Sequence, residues 1–158
     1  MPKEHHYRLS LTWLGNTGEG TSGYRNYQRE HMIHIPGKEP IVCSSDPAFR
    51  GDGTKHNPEE LLLASLSGCH MLWYLHLCAD AGIVVTAYTD AATGVMEETA
   101  NGGGRFTSVT LKPVVTITNI DFKERAIALH QKANEMCFIA SSVNFPVHHQ
   151  PEIIIEGE

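Results

Sequence analysis

A chain of 158 residues, 41% hydrophobic and 19% charged, is long enough to bury a core and reads as a single soluble domain over residues 1–158. A net charge of −6 and the lack of any Lys/Arg cluster exclude an electrostatic nucleic-acid binder. The opening "MPKEHHYRLS" carries no apolar run of the signal-peptide kind, so the expected setting is the cytoplasm, where cysteines stay thiols.

In "RLSLTWL", Leu9, Leu11 and Trp13 alternate with polar neighbours, which predicts a half-buried strand. The glycine-rich "GNTGEGTSG" follows, and "YRNYQREHMIHI" ends in a second alternation at His31, Ile33 and Ile35. Gly18, Gly20 and Gly23 match G-x-G-x-x-G by spacing. A dinucleotide fingerprint, however, must open a helix whose N-terminus holds pyrophosphate. Here a strand follows, and Glu19 places a negative charge where phosphate would sit. The segment reads as a hairpin turn.

Residues 36–56 form a Pro-, Gly-, Asp- and Ser-rich loop with short extended pieces, leading into "NPEELLLASLSGCHMLWYLHLCADAG". Asn57 suits an N-cap and Pro58 the first helical position, while Glu59 and Glu60 complement the positive end of the dipole. Gly82 marks the C-terminal stop. This helix is long and apolar enough to span a bilayer, but Ser65, Ser67, His70 and His76 interrupt it. Burial in protein is therefore expected, and no membrane.

Beyond the helix, "IVVTAYTDAATGVM" predicts a strand, "EETANGGGR" a turn, and "FTSVTLKPVVTITNI" another strand, in which Pro113 implies an edge position or a bulge. A second helix is expected from Asp121, with Phe122, Ala126, Leu129, Ala133 and Met136 on one face. "EIIIE" supplies a last strand. The fold class is α+β: mostly antiparallel sheet with a long central helix and a second, shorter one.

The chemistry centres on the cysteines. Cys69 lies too deep in its helix for the macrodipole to activate it, since that effect is felt in the first turn. A thiolate there needs a cationic side chain, and Arg25, Arg29 and Arg50 stand upstream. Cys78 falls on the opposite side of the same helix and cannot pair with Cys69. Cys137, near the end of the second helix, is a partner for Cys69 only if the helix ends pack together. Buried cysteine also serves as a small hydrophobe, the reading given to Cys43 and Cys78, so the residues alone leave the pair open. The ten histidines, His5-His6 and His148-His149 among them, lack zinc-ligand spacing, so no metal is expected. For a Cys–His hydrolase, His70 points off the Cys69 face and His76 stands two turns away.

"NPEELLLASLSGCH", followed by Cys137 on a second helix, resembles the signature of the OsmC/Ohr family, and the likeness of element order runs over most of the chain. The resemblance implies an intertwined homodimer that reduces organic or inorganic hydroperoxides with a cysteine pair and an external dithiol reductant, without cofactor or metal. It maps the peroxidatic cysteine onto Cys69, the resolving cysteine onto Cys137 and the motif glutamate onto Glu59. The activating arginine maps onto Arg50 in "AFRGD", with Arg25 and Arg29 as alternatives. Phe138 stands where the family commonly has proline. Met71, Trp73 and Phe138 are expected to line an apolar substrate pocket. Glu59 and Cys69 are about 15 Å apart along one helix, so a site using both residues would draw them from two chains. A non-catalytic binding module on the same fold is the reading from a different class, because function lives in the site rather than the fold.

Overall fold

The structure, a computed structural model, describes residues 1–158. The chain falls into two compact units, Met1–Leu61 and Leu62–Glu158.

The first unit is an antiparallel meander of β1 (Ser10–Trp13), β2 (His31–His34) and β3 (Ile41–Cys43). The glycine segment turns the chain between β1 and β2. Asn16 Oδ1 accepts from the backbone N–H groups of Gly18 and Gly20, each at 3.0 Å, and both glycines have positive φ. A side-chain oxygen thus occupies the donors that a phosphate would need. The alternation of β1 is real, but this chain does not cover its apolar face: every residue of β1 is exposed, Leu11 to 58%.

Helix α1 spans Pro58–Asp80. It begins where local chemistry says it should, with a reciprocal cap: Glu60 N–H donates to Asn57 Oδ1 at 2.9 Å, and Asn57 N–H donates to Glu60 Oε2 at 3.2 Å. It ends on Gly82, whose φ is 74°, with Ile83 N–H reaching back to the Cys78 carbonyl at 2.9 Å. Burial of α1 is one-sided. Leu66, His70, Tyr74 and Cys78, four residues apart, are its buried positions, whereas Leu72 is 65% exposed. Of the burial in protein expected for this helix, the chain itself supplies one stripe.

In the second unit, β4 (Val85–Asp90), β7 (Pro113–Ile117) and β9 (Glu152–Ile155) form one sheet in the order β4-β7-β9. A second sheet has the order β5-β6-β8, from β5 (Thr93–Glu98), β6 (Gly104–Leu111) and β8 (Val147–His149). Pairs β4–β7 and β5–β6 are antiparallel, and β6–β8 and β7–β9 are parallel. Each of the two long strands expected from sequence is thus two strands in different sheets. Asp90 fixes both breaks, accepting from Lys112 N–H at 2.7 Å and from the Ser67 hydroxyl at 2.6 Å. Pro113 is neither at an edge nor in a bulge. It opens β7, the central strand of its sheet, and a first residue loses little by lacking an N–H. Strand β8 had no sequence signal.

Helix α2 (Lys123–Met136) follows a 3-10 turn over Ile120–Phe122 that is capped by Asn119, whose Oδ1 accepts from Asp121 N–H at 2.9 Å. The cap therefore precedes the expected Asp121 start. Its buried residues are Ala126, His130 and Ala133, while Met136 is exposed. One apolar cluster gathers Tyr74, Ile83, Val115, Ile117, Ile153 and Ile155, and another forms around Leu66, Val109 and Leu111.

Candidate functional site

The buried face of α2 continues past its end. Ala126, His130, Ala133 and Cys137 recur every three or four residues, all at most 1% exposed. Along this line α2 meets α1 through a series of side-chain contacts. Tyr74 Oη donates to the Ala126 carbonyl at 2.9 Å, and its ring stacks on His130 with centroids 3.8 Å apart. His70 Nε2 and His130 Nδ1 share a hydrogen bond of 3.0 Å with ring planes 6° apart. At the end of the seam Cys69 is near enough to Cys137 to influence its thiol, and the Phe138 ring meets Trp73 edge-on at 5.5 Å.

The fold thus makes Cys69 a neighbour of Cys137, and both are free thiols. Their surroundings differ. Cys137 is 1% exposed. Burial first, and then the Cys69 thiol beside it, push its pKa up to about 11, although the Ala140 N–H that reaches its sulfur at 3.4 Å pulls the other way. Cys137 is therefore protonated at neutral pH. Cys69 is half-buried, the less enclosed of the two.

A cavity of about 250 Å³ opens on α1 against Leu72, Trp73 and His76. Trp73 is its centre: the His76 ring meets it edge-on at 5.7 Å from one direction and Phe138 from another. His76 Nε2 also lies 3.4 Å from Asp80 Oδ2. Of the residues expected to line a substrate pocket, Trp73 lines this cavity, whereas the half-buried Met71 and the exposed Phe138 do not, and neither do Cys69 and Cys137. Leu72 and His76 were missed from sequence, although their i, i+4 spacing astride Trp73 was the available signal.

The three candidate arginines belong to the first unit. Arg50 is exposed and is the one non-glycine residue at positive φ, 63°, where it ends the 3-10 turn over Pro47–Phe49. A non-glycine residue held in the left-handed region is a hint of functional constraint. Arg29 lies over two rings, 4.5 Å from the Tyr24 centroid and 3.9 Å from that of Tyr27. It also donates to the carbonyls of Tyr27 at 2.6 Å and Tyr24 at 2.7 Å. Arg25 is exposed. Glu59 has one carboxylate oxygen, Oε2, buried with no hydrogen-bond partner.

No group of three His, Cys, Asp or Glu side chains converges as metal ligands. Among the histidines the reason is geometric: His70 and His130 aim nitrogens at each other, leaving His70 Nδ1 and His130 Nε2 buried without partners. His130 escaped the sequence reading because a polar residue breaks the apolar pattern by which a buried helix face is recognised.

The model of the OsmC-like protein family matches residues 51–152. A solved OsmC-like protein of unknown function from Vibrio cholerae is 30% identical, with a TM-score of 0.84 over 96% of this chain and 100% of that one. An organic hydroperoxide resistance protein from Legionella pneumophila shares the fold at 19% identity and a TM-score of 0.65, over 96% and 100% of the two chains. Another, from Elizabethkingia anophelis with thiocyanate bound, does so at 17% identity and a TM-score of 0.66, over 98% and 100%. None of the curated protein sequences compared matches the chain.

Proposed function

The chain belongs to the OsmC-like protein family, and on that premise we propose that it is a thiol-dependent peroxidase that reduces organic hydroperoxides with Cys69 and Cys137. The observation that carries this reading is that two free thiols, the half-buried Cys69 and the buried Cys137, are neighbours at the end of the α1–α2 seam. The Cys69 thiolate attacks the terminal oxygen of ROOH, the O–O bond breaks, and alkoxide leaves and takes a proton to become ROH, leaving Cys69 as sulfenic acid. The Cys137 thiol condenses with it, forming the S–S bond and releasing water. An external dithiol then reduces the disulfide by exchange and is itself oxidised.

The apolar cavity around Trp73 suits an organic rather than an inorganic peroxide, with Phe138 beside it and Leu72 in place of the expected Met71. For the cation that holds the Cys69 thiolate we favour Arg50 on its left-handed backbone. The orphaned Glu59 Oε2 is an acceptor suited to holding such a guanidinium. The working unit in this reading is a homodimer, because the uncovered sides of α1 and the exposed apolar residues of β1 exceed what scattered surface residues account for.

The test is consumption of cumene hydroperoxide with dithiothreitol as reductant. Wild-type protein turns over and Cys69→Ser does not. Equal turnover by both chains, or none by the wild type, sinks the peroxidase reading and leaves a binding module.

A further inference from the structure

Nothing in the peroxide chemistry uses His70 or His130, yet they are 1% and 0% exposed and hydrogen-bonded to each other. Two buried imidazoles are a costly way to fill space. A leucine pair would do so without desolvating polar groups, and here each ring leaves its outer nitrogen unpartnered. What the pair supplies and an apolar contact does not is a bond of fixed length and direction. The rings are nearly coplanar, 6° apart, and Tyr74 stacks on one of them, so neither can turn freely.

The location of this bond is as telling as its geometry. His70 is the residue after Cys69 on α1. His130 precedes Cys137 by seven residues, which returns to within about 20° of the same side of α2. The other hydrogen bond between the two helices, Tyr74 to the Ala126 carbonyl, lies further from the thiols. Between His130 and Cys137 the buried position is Ala133, too small to brace anything.

We propose that the His70–His130 hydrogen bond holds α2 in register with α1 so that Cys137 stands within reach of the Cys69 sulfur, which makes both histidines positioning residues for disulfide formation. This rests on the dithiol reading above. The step is Cys69–SOH plus HS–Cys137 giving the disulfide and water, the Cys137 proton leaving with the sulfenic hydroxyl. A misplacement of about 1 Å costs such a step up to about a hundredfold. The groups that face the pair are Tyr74 on α1, the His149 ring on β8, 5.8 Å from His70 and 6.3 Å from His130, and the Asp90 carboxylate at the end of β4; Gln131 and His148 neighbour His149, and Tyr88 neighbours Tyr74. Burial, with the neighbouring imidazoles, keeps both rings neutral at neutral pH.

The experiment measures the Cys69–Cys137 equilibrium against glutathione at neutral pH, and the rate at which sulfenic acid becomes disulfide. His70→Leu and His130→Leu should each lower the equilibrium constant tenfold or more, about 30 mV. The double leucine variant should lose no more than either single one. His70→Gln with His130→Asn puts amide groups near the bonded nitrogens and should recover to within threefold of wild type. Attack of Cys69 on peroxide, followed in a Cys137→Ser background, should be unchanged throughout. If the leucine chains do not fold, His70→Gln against His70→Asn makes the same comparison, since the shorter amide falls short of His130. Leucine variants that match wild type, or amide variants as impaired as leucine ones, overturn the positioning role. A wild-type chain that forms no Cys69–Cys137 disulfide overturns the dithiol reading and this inference with it.

Discussion

Lowering the pH from 7 to 5 should destabilise this protein by several kcal/mol through His70 and His130. Their pKa values fall from 6.5 to about 4 and about 3, in both cases first because burial disfavours the cation; neighbouring imidazoles lower them further, and only for His70 does a carboxylate, Asp90, oppose this. In the unfolded chain both rings titrate near 6.5. Above that pH both states are neutral and stability is at its full value. As the pH falls from 6.5 towards 4 the unfolded chain binds protons that the folded one refuses, and stability is lost. At pH 5 the loss is about 1.5 pH units at 1.36 kcal/mol each, or roughly 2 kcal/mol per ring and about 4 for the pair. That is a large share of a typical stability of about 5–15 kcal/mol. Urea unfolding at pH 7 and pH 5 measures it, with His70→Gln/His130→Asn as the control in which these two groups do not titrate. Wild type should lose about 4 kcal/mol more than the control. Equal losses in the two chains would refute the reasoning, because the acid sensitivity would then come from other groups.

Cys137→Ser should still consume one equivalent of peroxide per chain and then stall as a sulfenic acid that dimedone traps in mass spectrometry. Arg50→Ala should slow peroxide attack on the order of 10- to 100-fold, the worth of a charge-assisted contact, in stopped-flow measurements; the same loss in Arg25→Ala or Arg29→Ala but not in Arg50→Ala would move the assignment. Mixing inactive Glu59→Ala and Cys69→Ser chains should restore part of the activity through heterodimers with one intact site, and no rescue despite verified chain exchange would exclude a shared site.

What the sequence made legible was local. The ends of α1 were readable because Asn57, Pro58, Glu60 and Gly82 act on backbone groups within a turn of themselves. The split of each long strand was not, because it depends on Asp90 reaching Lys112 and Ser67, both more than twenty residues away. β8 is three residues long and pairs in parallel with β6, which leaves no hairpin signal. The two cysteines could be picked out by motif, but whether they meet depends on how the helices pack. That packing runs through His70, His130 and Tyr74, two of which a search for apolar periodicity passes over. Leu11 and Trp13 read correctly as one face of a strand, yet the sequence gives no sign that the chain itself leaves that face exposed.

The central claim is that Cys69 and Cys137 form one redox unit, and mass spectrometry of the reduced protein after one equivalent of organic hydroperoxide tests it most directly. The account predicts that the chain loses two hydrogens and that proteolysis yields a single cross-linked peptide pair joining Cys69 to Cys137, with Cys43 and Cys78 still thiols. A Cys69 that remains a free thiol, or a disulfide joining any other two cysteines, would contradict it.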